Sequence, residues 1–508
     1  MKRRRFGLAM LAIGLVVALA ACNPAADTDK TDHRRTLRIG MPYGSPSEEA
    51  GLRERLTDKF ELLHPEIDIE FVFSDDSPID LWGEQDEEPD PLETLKKLMT
   101  GSQPADLVVF SLDQLPALVR ERLLLPLDSR MADSGIDPAE FVPAVIEAIR
   151  ERGDGGQLYA LSPTFSASAL FYNKALFLQR NVPFPTDGMT WEDALILARR
   201  FASGSGEDAV YGITFSPWGI GDPFAHMNTY AEPLQLRMFD DKAERMTVRS
   251  SGWEEVWSTF RSLYEEAVLP PPEGEPAVGV IGGAGEIQIH HPYRNRPFFT
   301  GKAAMTVGDF GLIHELAEFN RNAGRLGLEP VDWGVVTLPV HPQRPDTGLM
   351  SISELMGINV NASNPDDAWA FIRFFHGETN AKLLARHPFA MSTLQSANKV
   401  PDGMDYDPAV FYRLKPGPGL TEAESRLYRE YPDLLLVRSL GSMVFERVIS
   451  GELTVEEGLE EWERKGNELL QKIRQASDGD LDSDMTDSGE FILPPADGVD
   501  EGQFVVQP

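Results

Sequence analysis

The chain has 508 residues, 42% of them hydrophobic and 25% charged, and a formal net charge of −34. At about 100–200 residues per domain, this predicts two to four domains with apolar cores, which excludes a disordered chain. The acid excess repels phosphate backbones, so no nucleic-acid partner is expected. The single cysteine, Cys22, excludes an intrachain disulfide, a CxxC redox pair and a Cys-based zinc site.

In chain order, Lys2, Arg3, Arg4 and Arg5 form a positive cluster, and residues 6–21 are a nearly unbroken apolar run. That run is short for a membrane span and has the length of a secretory signal core. It ends in Leu19-Ala20-Ala21-Cys22, similar to a lipobox, in which small residues precede a cysteine that is lipidated and left as the new amino terminus. An ordinary signal peptide followed by an unrelated thiol is the alternative reading. Cleavage removes the four cationic residues and takes the formal charge from −34 to −38. A thioether-linked diacylglycerol with an N-acyl chain such as palmitate would hold the protein on the extracytoplasmic face of the cell membrane. More than one acyl chain is needed for stable anchoring. Residues 1–21 are thus expected to be a signal peptide and 22–35 a lipid-anchored flexible tether.

The folded part is expected to open with a short strand at 37–40. A helix over 48–63 follows, with Leu52, Leu56, Phe60 and Leu63 on one face, and Pro65 ends it. Residues 67–73 (IDIEFVF) alternate as a strand. The segment from Asp75 to Glu93 holds nine acidic residues and no Lys or Arg, and reads as a solvated insertion. Residues 92–99 are predicted to be helical. Residues 106–110 (DLVVF) read as a strand buried on both faces. This alternation predicts an α/β fold with mostly parallel sheets flanked by helices.

A helix is expected near 138–151. Residues 158–173 (LYALSPTFSASALFYN) are strand-like on both sides of Pro163. Thr190 is a candidate N-cap for a helix over 191–202, with Asp193 three residues on. Further α/β units are expected at 209–214, 252–267, 303–307, 333–338 and 356–360. Helices are expected at 365–375, 379–386, 432–450 and 454–476. Residues 477–508 hold nine acidic residues and no Lys or Arg, and read as a disordered tail. No later apolar stretch is long enough to span a membrane.

Several segments in this order resemble one family. They are FELLHP at 60–65, PADLVVF at 104–110, LLPLD at 124–128, LYALSP at 158–163, LFYNK at 170–174 followed by Thr190-Trp191, GKAAM at 301–305, residues 368–375, and GELTVEE at 451–457. Together they resemble the extracellular solute-binding proteins of ABC importers, in the group that includes maltose-binding proteins, over residues 36–475. The resemblance implies a two-lobed periplasmic-binding-protein-like fold (type II). The amino-terminal lobe would be 36–164 with 358–391, and the carboxyl-terminal lobe 165–357 with 392–476. Three hinge crossings would fall near 163–168, 353–358 and 389–394. It further implies a ligand cleft between the lobes, closure that traps the solute, and ABC importer permease subunits as partners. A monomer without a cofactor is expected.

In open α/β sheets, ligands sit beyond the carboxyl ends of strands. That rule selects Tyr43, Phe110, Asp113, Trp218, Asp222, Asp309 and Phe310 as ligand-binding candidates, with Phe165 and Glu354 at the crossings. Arg438 stands near a position that is aromatic in maltose-binding relatives, which argues against a maltodextrin. Aromatic rings stack on the apolar face of a pyranose, and carboxylates accept hydrogen bonds from sugar hydroxyls. The mixture therefore points to a carbohydrate, with an oligosaccharide expected. Trp218, between Pro217 and Gly219, is the leading aromatic; the acids Asp113 and Asp309 also read as helix caps or surface charges.

No enzyme motif is complete in the sequence. His314-Glu315 begins HExxH but lacks the second histidine and reads as a helix face. His290-His291 has no evident third metal ligand. The glycine-rich 279–285 lacks the Lys-Ser/Thr of a P-loop, and Asp480, Asp482 and Asp484 lack the glycine and glutamate of a calcium loop. No catalytic residue is assigned. The rival readings are the same fold binding a peptide, polyamine or metal chelate, a receptor feeding a sensor kinase, and an extracellular polysaccharide-acting enzyme with two carboxylates about 5–10 Å apart.

Overall fold

The computed structural model describes residues 34–42, 46–73, 90–218, 221–272, 293, 295–384, 386 and 390–475. The expected signal peptide with Cys22, most of the acidic insertion, the 279–285 segment, His290-His291 and the acidic tail lie outside the described residues. Chain contacts divide the fold into two units. The first comprises the described residues up to Val109 with Arg122–Leu125 and Gly357–Phe374, and the second comprises the described residues of Phe110–Glu121 and Pro126–Met356 and those from Phe375.

In the first unit, β1 (Arg35–Met41) lies between β2 (Ile67–Phe73) and β3 (Leu107–Phe110). Both pairings are parallel, with Ile39 opposite Phe71 and Leu107. β1 begins at Arg35, inside the expected tether, and the Arg35 guanidinium pairs with Asp367 at 2.8 Å. The predicted helix after β1 is present, but it contains a π turn at Arg53–Thr57 between Glu49–Leu52 and Asp58–Leu63. Its Phe60 is fully buried and meets the edge of Phe371, 5.0 Å away, on the helix Pro365–Phe375. Gly40 allows β1 to pack closely, since a Cβ there would stand 3.0 Å from the Ala105 Cβ.

A buried polar knot fixes this unit. The Asp106 carboxylate accepts the amides of Arg38 and Asn364, each at 2.9 Å. The fully buried Asn359 donates to the carbonyls of Met99 and Ala105 at 2.9 and 2.7 Å. Every donor here has a partner, the condition under which buried polar groups stabilise a unique arrangement.

In the second unit, the expected run 158–173 forms two strands, β4 (Ala160–Leu161) and β5 (Thr164–Asn173), on either side of Pro163. β6 (Tyr211–Thr214) runs parallel to β7 (Ala303–Asp309). β5, however, runs antiparallel both to β7 and to β8 (Trp333–Thr337). The sheet is therefore mixed, which corrects the expectation of mostly parallel strands. Alternation of apolar residues does not report strand direction. Short helices at Leu115–Arg120, Asp128–Asp133 and Lys174–Arg180 escaped prediction because each is too short to show a periodic face.

The helix Trp191–Arg199 carries the expected capping box, Thr190 with Asp193. Its Trp191 joins a large core with Trp253 and Trp257 of the helix Ser251–Glu265 and Trp462 of the helix Val455–Gln475. Trp257 stacks on Trp462 at 5.4 Å and 12°. Gly441 makes this contact possible: a Cβ there would lie 2.6 Å from the Trp462 ring. Most tryptophans are thus core residues, as their helical spacing predicts.

Candidate functional site

Four candidates of the second unit, Phe165, Trp218, Asp309 and Phe310, lie at or beyond the carboxyl ends of β6 and β7 and in the amino-terminal half of β5. Thr214, the last residue of β6, is tied to Thr306 of β7 by a hydroxyl–hydroxyl bond of 2.7 Å. Asp309, the exposed end of β7, stands opposite Ser168 in the β5 register. Phe310 follows and caps the helix Gly311–Asn322; it is buried against the edge of Phe411 at 5.6 Å. Phe165, near the start of β5, pairs with Met391 and is buried edge-on to Tyr412 at 6.2 Å.

Trp218 lies beyond β6 and is 62% exposed. It is nonetheless held from one side. The Arg296 guanidinium sits 4.2 Å from the centre of the Trp218 ring and 4.0 Å from that of Phe299. Arg296 is only 4% exposed. Its Nε donates to the Pro217 carbonyl at 3.2 Å, and its two terminal nitrogens fork onto the Glu315 carboxylate, Nη2 at 2.7 Å from Oε2 and Nη1 on Oε1. A cation between two ring faces is attracted by both, and the fork onto a carboxylate fixes its plane. One face of the Trp218 indole is therefore covered by Arg296 while the residue stays largely accessible.

Asp222 is exposed and caps the helix Pro223–Ala231, accepting the Phe224 amide at 2.8 Å. It also accepts the Ser442 hydroxyl at 2.9 Å, from the helix Leu435–Ile449. The neighbouring His226 is held below its usual range by burial, with Asp222 opposing. Arg438, one turn before Ser442, is exposed at the mouth of a cavity.

The remaining candidates are placed singly. Phe110 ends β3 and is buried. Asp113 is exposed; its charge favours the cationic form of Arg152 against the burial that lowers that group. Glu354 is half-buried between the short strands Met350–Ser351 and Leu355–Ile358. Tyr43 lies outside the described residues. Among the described residues, no group of three or more His, Cys, Asp or Glu side chains is placed to hold a metal ion, and no helix is long and apolar enough to cross a membrane.

Sequence reasoning missed Arg296 and passed over Glu315. The available signal was compositional: Arg296 is flanked by Tyr293, Phe298 and Phe299, and Glu315 had been considered only as part of an incomplete zinc motif.

The strand order and the mixed α/β layers are those of a protein of the two-lobed periplasmic binding type. Solved structures agree on the fold. A sugar transporter from Rhizobium etli, in an open conformation, is 17% identical with a TM-score of 0.55, the match covering 85% of this chain and 99% of that one. The sugar-binding protein MalE from Xanthomonas citri is 19% identical with a TM-score of 0.55, covering 88% and 100%. A family 1 extracellular solute-binding protein from Alicyclobacillus acidocaldarius is 16% identical with a TM-score of 0.54, covering 86% and 98%. Comparison with curated protein sequences gave no match. The family model for bacterial extracellular solute-binding proteins matches residues 43–382, two-thirds of the sequence. The chain belongs to that family, the solute receptors of ABC transporters.

Proposed function

We propose that the chain is a lipid-anchored receptor that captures a carbohydrate, an oligosaccharide by preference, outside the cell membrane and delivers it to the permease subunits of an ABC importer. Cys22 is the proposed lipidation site, and the protein acts as a monomer, without a cofactor and without a catalytic step. The proposed lobes are 36–164 with 358–391, and 165–357 with 392–476. Tyr43, Phe110, Asp113, Phe165, Trp218, Asp222, Asp309, Phe310, Glu354 and Arg438 are the proposed ligand contacts.

The observation that carries the carbohydrate reading is Trp218: an accessible indole, backed on one face by a buried arginine, beyond the carboxyl end of a strand. A ring fixed in this way offers its other face to the C–H face of a pyranose at little entropic cost. Asp309, exposed at the end of the adjacent strand, supplies a hydroxyl acceptor of the charge-assisted kind. The names of the Rhizobium etli and Xanthomonas citri relatives point the same way. The test is a calorimetric titration of the chain and its Trp218→Ala variant with neutral oligosaccharides. The variant is expected to melt like the parent and bind at least about tenfold more weakly, the loss of roughly 1.4 kcal/mol of stacking. Unchanged affinity would remove Trp218 from the site.

A further inference from the structure

The second unit contains a cavity of about 510 Å³ between the helices Pro223–Ala231, Glu422–Glu430 and Leu435–Ile449. That volume falls within the range of about 300–1,000 Å³ usual for small-molecule sites. Phe224 and the half-buried Asn228 and Tyr428 line it, as do Leu420 and Leu435, two exposed leucines, and Arg438.

The charge pattern of this cavity is unusual for a chain of net charge −34. No carboxylate lines it, and Arg438 is its only charged lining residue. Among the described residues Arg438 has no ion pair. Two acids on the neighbouring elements are already engaged. Glu424, one turn from Tyr428, takes the Arg237 Nε at 3.0 Å and closes the capping box with Thr421. Asp222 takes the Phe224 amide and the Ser442 hydroxyl. Among the described residues no protein group accepts a hydrogen bond from the Arg438 guanidinium, which lines the cavity with an apolar wall and two neutral hydrogen-bonding side chains. Burial holds the Tyr428 phenol above its usual value, so it remains a neutral hydroxyl.

From this arrangement we propose that the cavity binds a ring-sized carboxylate, in the first instance a sugar of the uronic-acid type, with Arg438 as the group that selects its charge. A carboxylate matches the guanidinium fork with two parallel hydrogen bonds. Asn228 and Tyr428 are placed to serve ring hydroxyls, and the apolar wall accepts a C–H face. The inference rests on the receptor reading above, since Arg438 is among its proposed contacts, and it narrows the ligand to acidic members of the class.

The test titrates the full chain with D-galacturonate, D-glucuronate, the corresponding neutral hexoses and benzoate, by calorimetry and thermal shift. The chain is expected to bind a uronate in preference to its neutral hexose, and Arg438→Met to bind it about tenfold to a hundredfold more weakly, the usual effect of losing a charge-assisted bond. Asn228→Phe, which fills the cavity and leaves Arg438 in place, is expected to lose the same ligand. Retention of benzoate alone, lost in both variants, supports the carboxylate site and moves its source outside the sugars. Binding of a neutral sugar with equal strength by the parent and Arg438→Met, with no acid retained, overturns the inference and leaves the receptor reading standing. Uronate binding unchanged in both variants overturns it too, since the acid is then held elsewhere.

Discussion

At the scale of the residue, Arg296 is a buried side chain that holds the exposed Trp218, a proposed ligand contact, in place. Its charge is matched by Glu315, its faces are filled by Trp218 and Phe299, and its Nε holds the Pro217 carbonyl next to the tryptophan. Arg296→Met keeps the bulk and removes both the charge and the fork. The expected outcome is a sugar affinity lowered about fivefold to thirtyfold, corresponding to about 1–2 kcal/mol of cation–π support. Melting is expected to fall as well, because Glu315 loses its partner. The Trp218 contribution to fluorescence anisotropy, taken as the difference from a Trp218→Phe background, separates the two effects: a freed indole depolarises more in the folded variant, and an unchanged contribution contradicts a positioning role. This contact was not legible in the sequence. Arg296 and Pro217 are 79 residues apart, and only the return of the chain to the end of β6 brings them together. That Trp218 stands outside the core was legible, because a tryptophan between proline and glycine sits badly in a helical or strand core.

Titration is also decided at this scale. His341 is buried, with its Nε2 2.7 Å from the Tyr230 carbonyl, and burial holds its value below the usual 6.5. His226 and His314 are lowered by burial too. A folded-state value below the unfolded one means that protonation costs the native state. The stability these groups contribute is present above about pH 6.5 and is lost as pH falls through their lower folded-state values. Melting temperature is therefore expected to decline between pH 7 and pH 5, against the opposing effect of the Glu232 and Glu446 carboxyls, which burial holds above their usual range. A flat profile across that window contradicts the assignment.

At the scale of the element, the strands and helices that could be read in advance are those with a periodic face or a capping signal. β2, the capping box at Thr190 and the long helix Val455–Gln475 are of this kind. The elements that escaped are short, and the antiparallel course of β5 is set by its partners β7 and β8, which follow it by more than a hundred residues in the sequence. Asp106 shows the same division. The motif PADLVVF marked it as the start of a strand, but its role as acceptor for two backbone amides depends on Asn364, 258 residues on. Asp106→Asn places an amide donor against one of those N–H groups. A loss of about 1.5–3 kcal/mol in denaturant unfolding is expected. A loss under about 0.5 kcal/mol would show that the knot adds little to the first unit.

At the scale of the whole molecule, family membership was accessible from ordered short motifs, none specific alone, and the family match over 43–382 agrees with that reading. The ligand was less accessible. Relatives below 20% identity share the fold, whereas the specificity proposed for Trp218 and Arg438 is a matter of side chains that no backbone comparison reads. The net charge says little about the ligand, since eighteen acidic residues lie in the insertion and the tail. The cavity beside Arg438, lined by no carboxylate, is where the proposed anion site departs from the acidity of the whole chain.

The measurement that bears most directly on the receptor account is a thermal-shift screen of the chain against neutral and acidic saccharides, polyamines and peptides, with the saccharides recovered and weighed by mass spectrometry. The account predicts that one saccharide class stabilises the fold, by about 2.7 kcal/mol at a hundred times its Kd, and is recovered intact. Stabilisation by polyamines or peptides alone, or recovery of a cleaved saccharide, would contradict it.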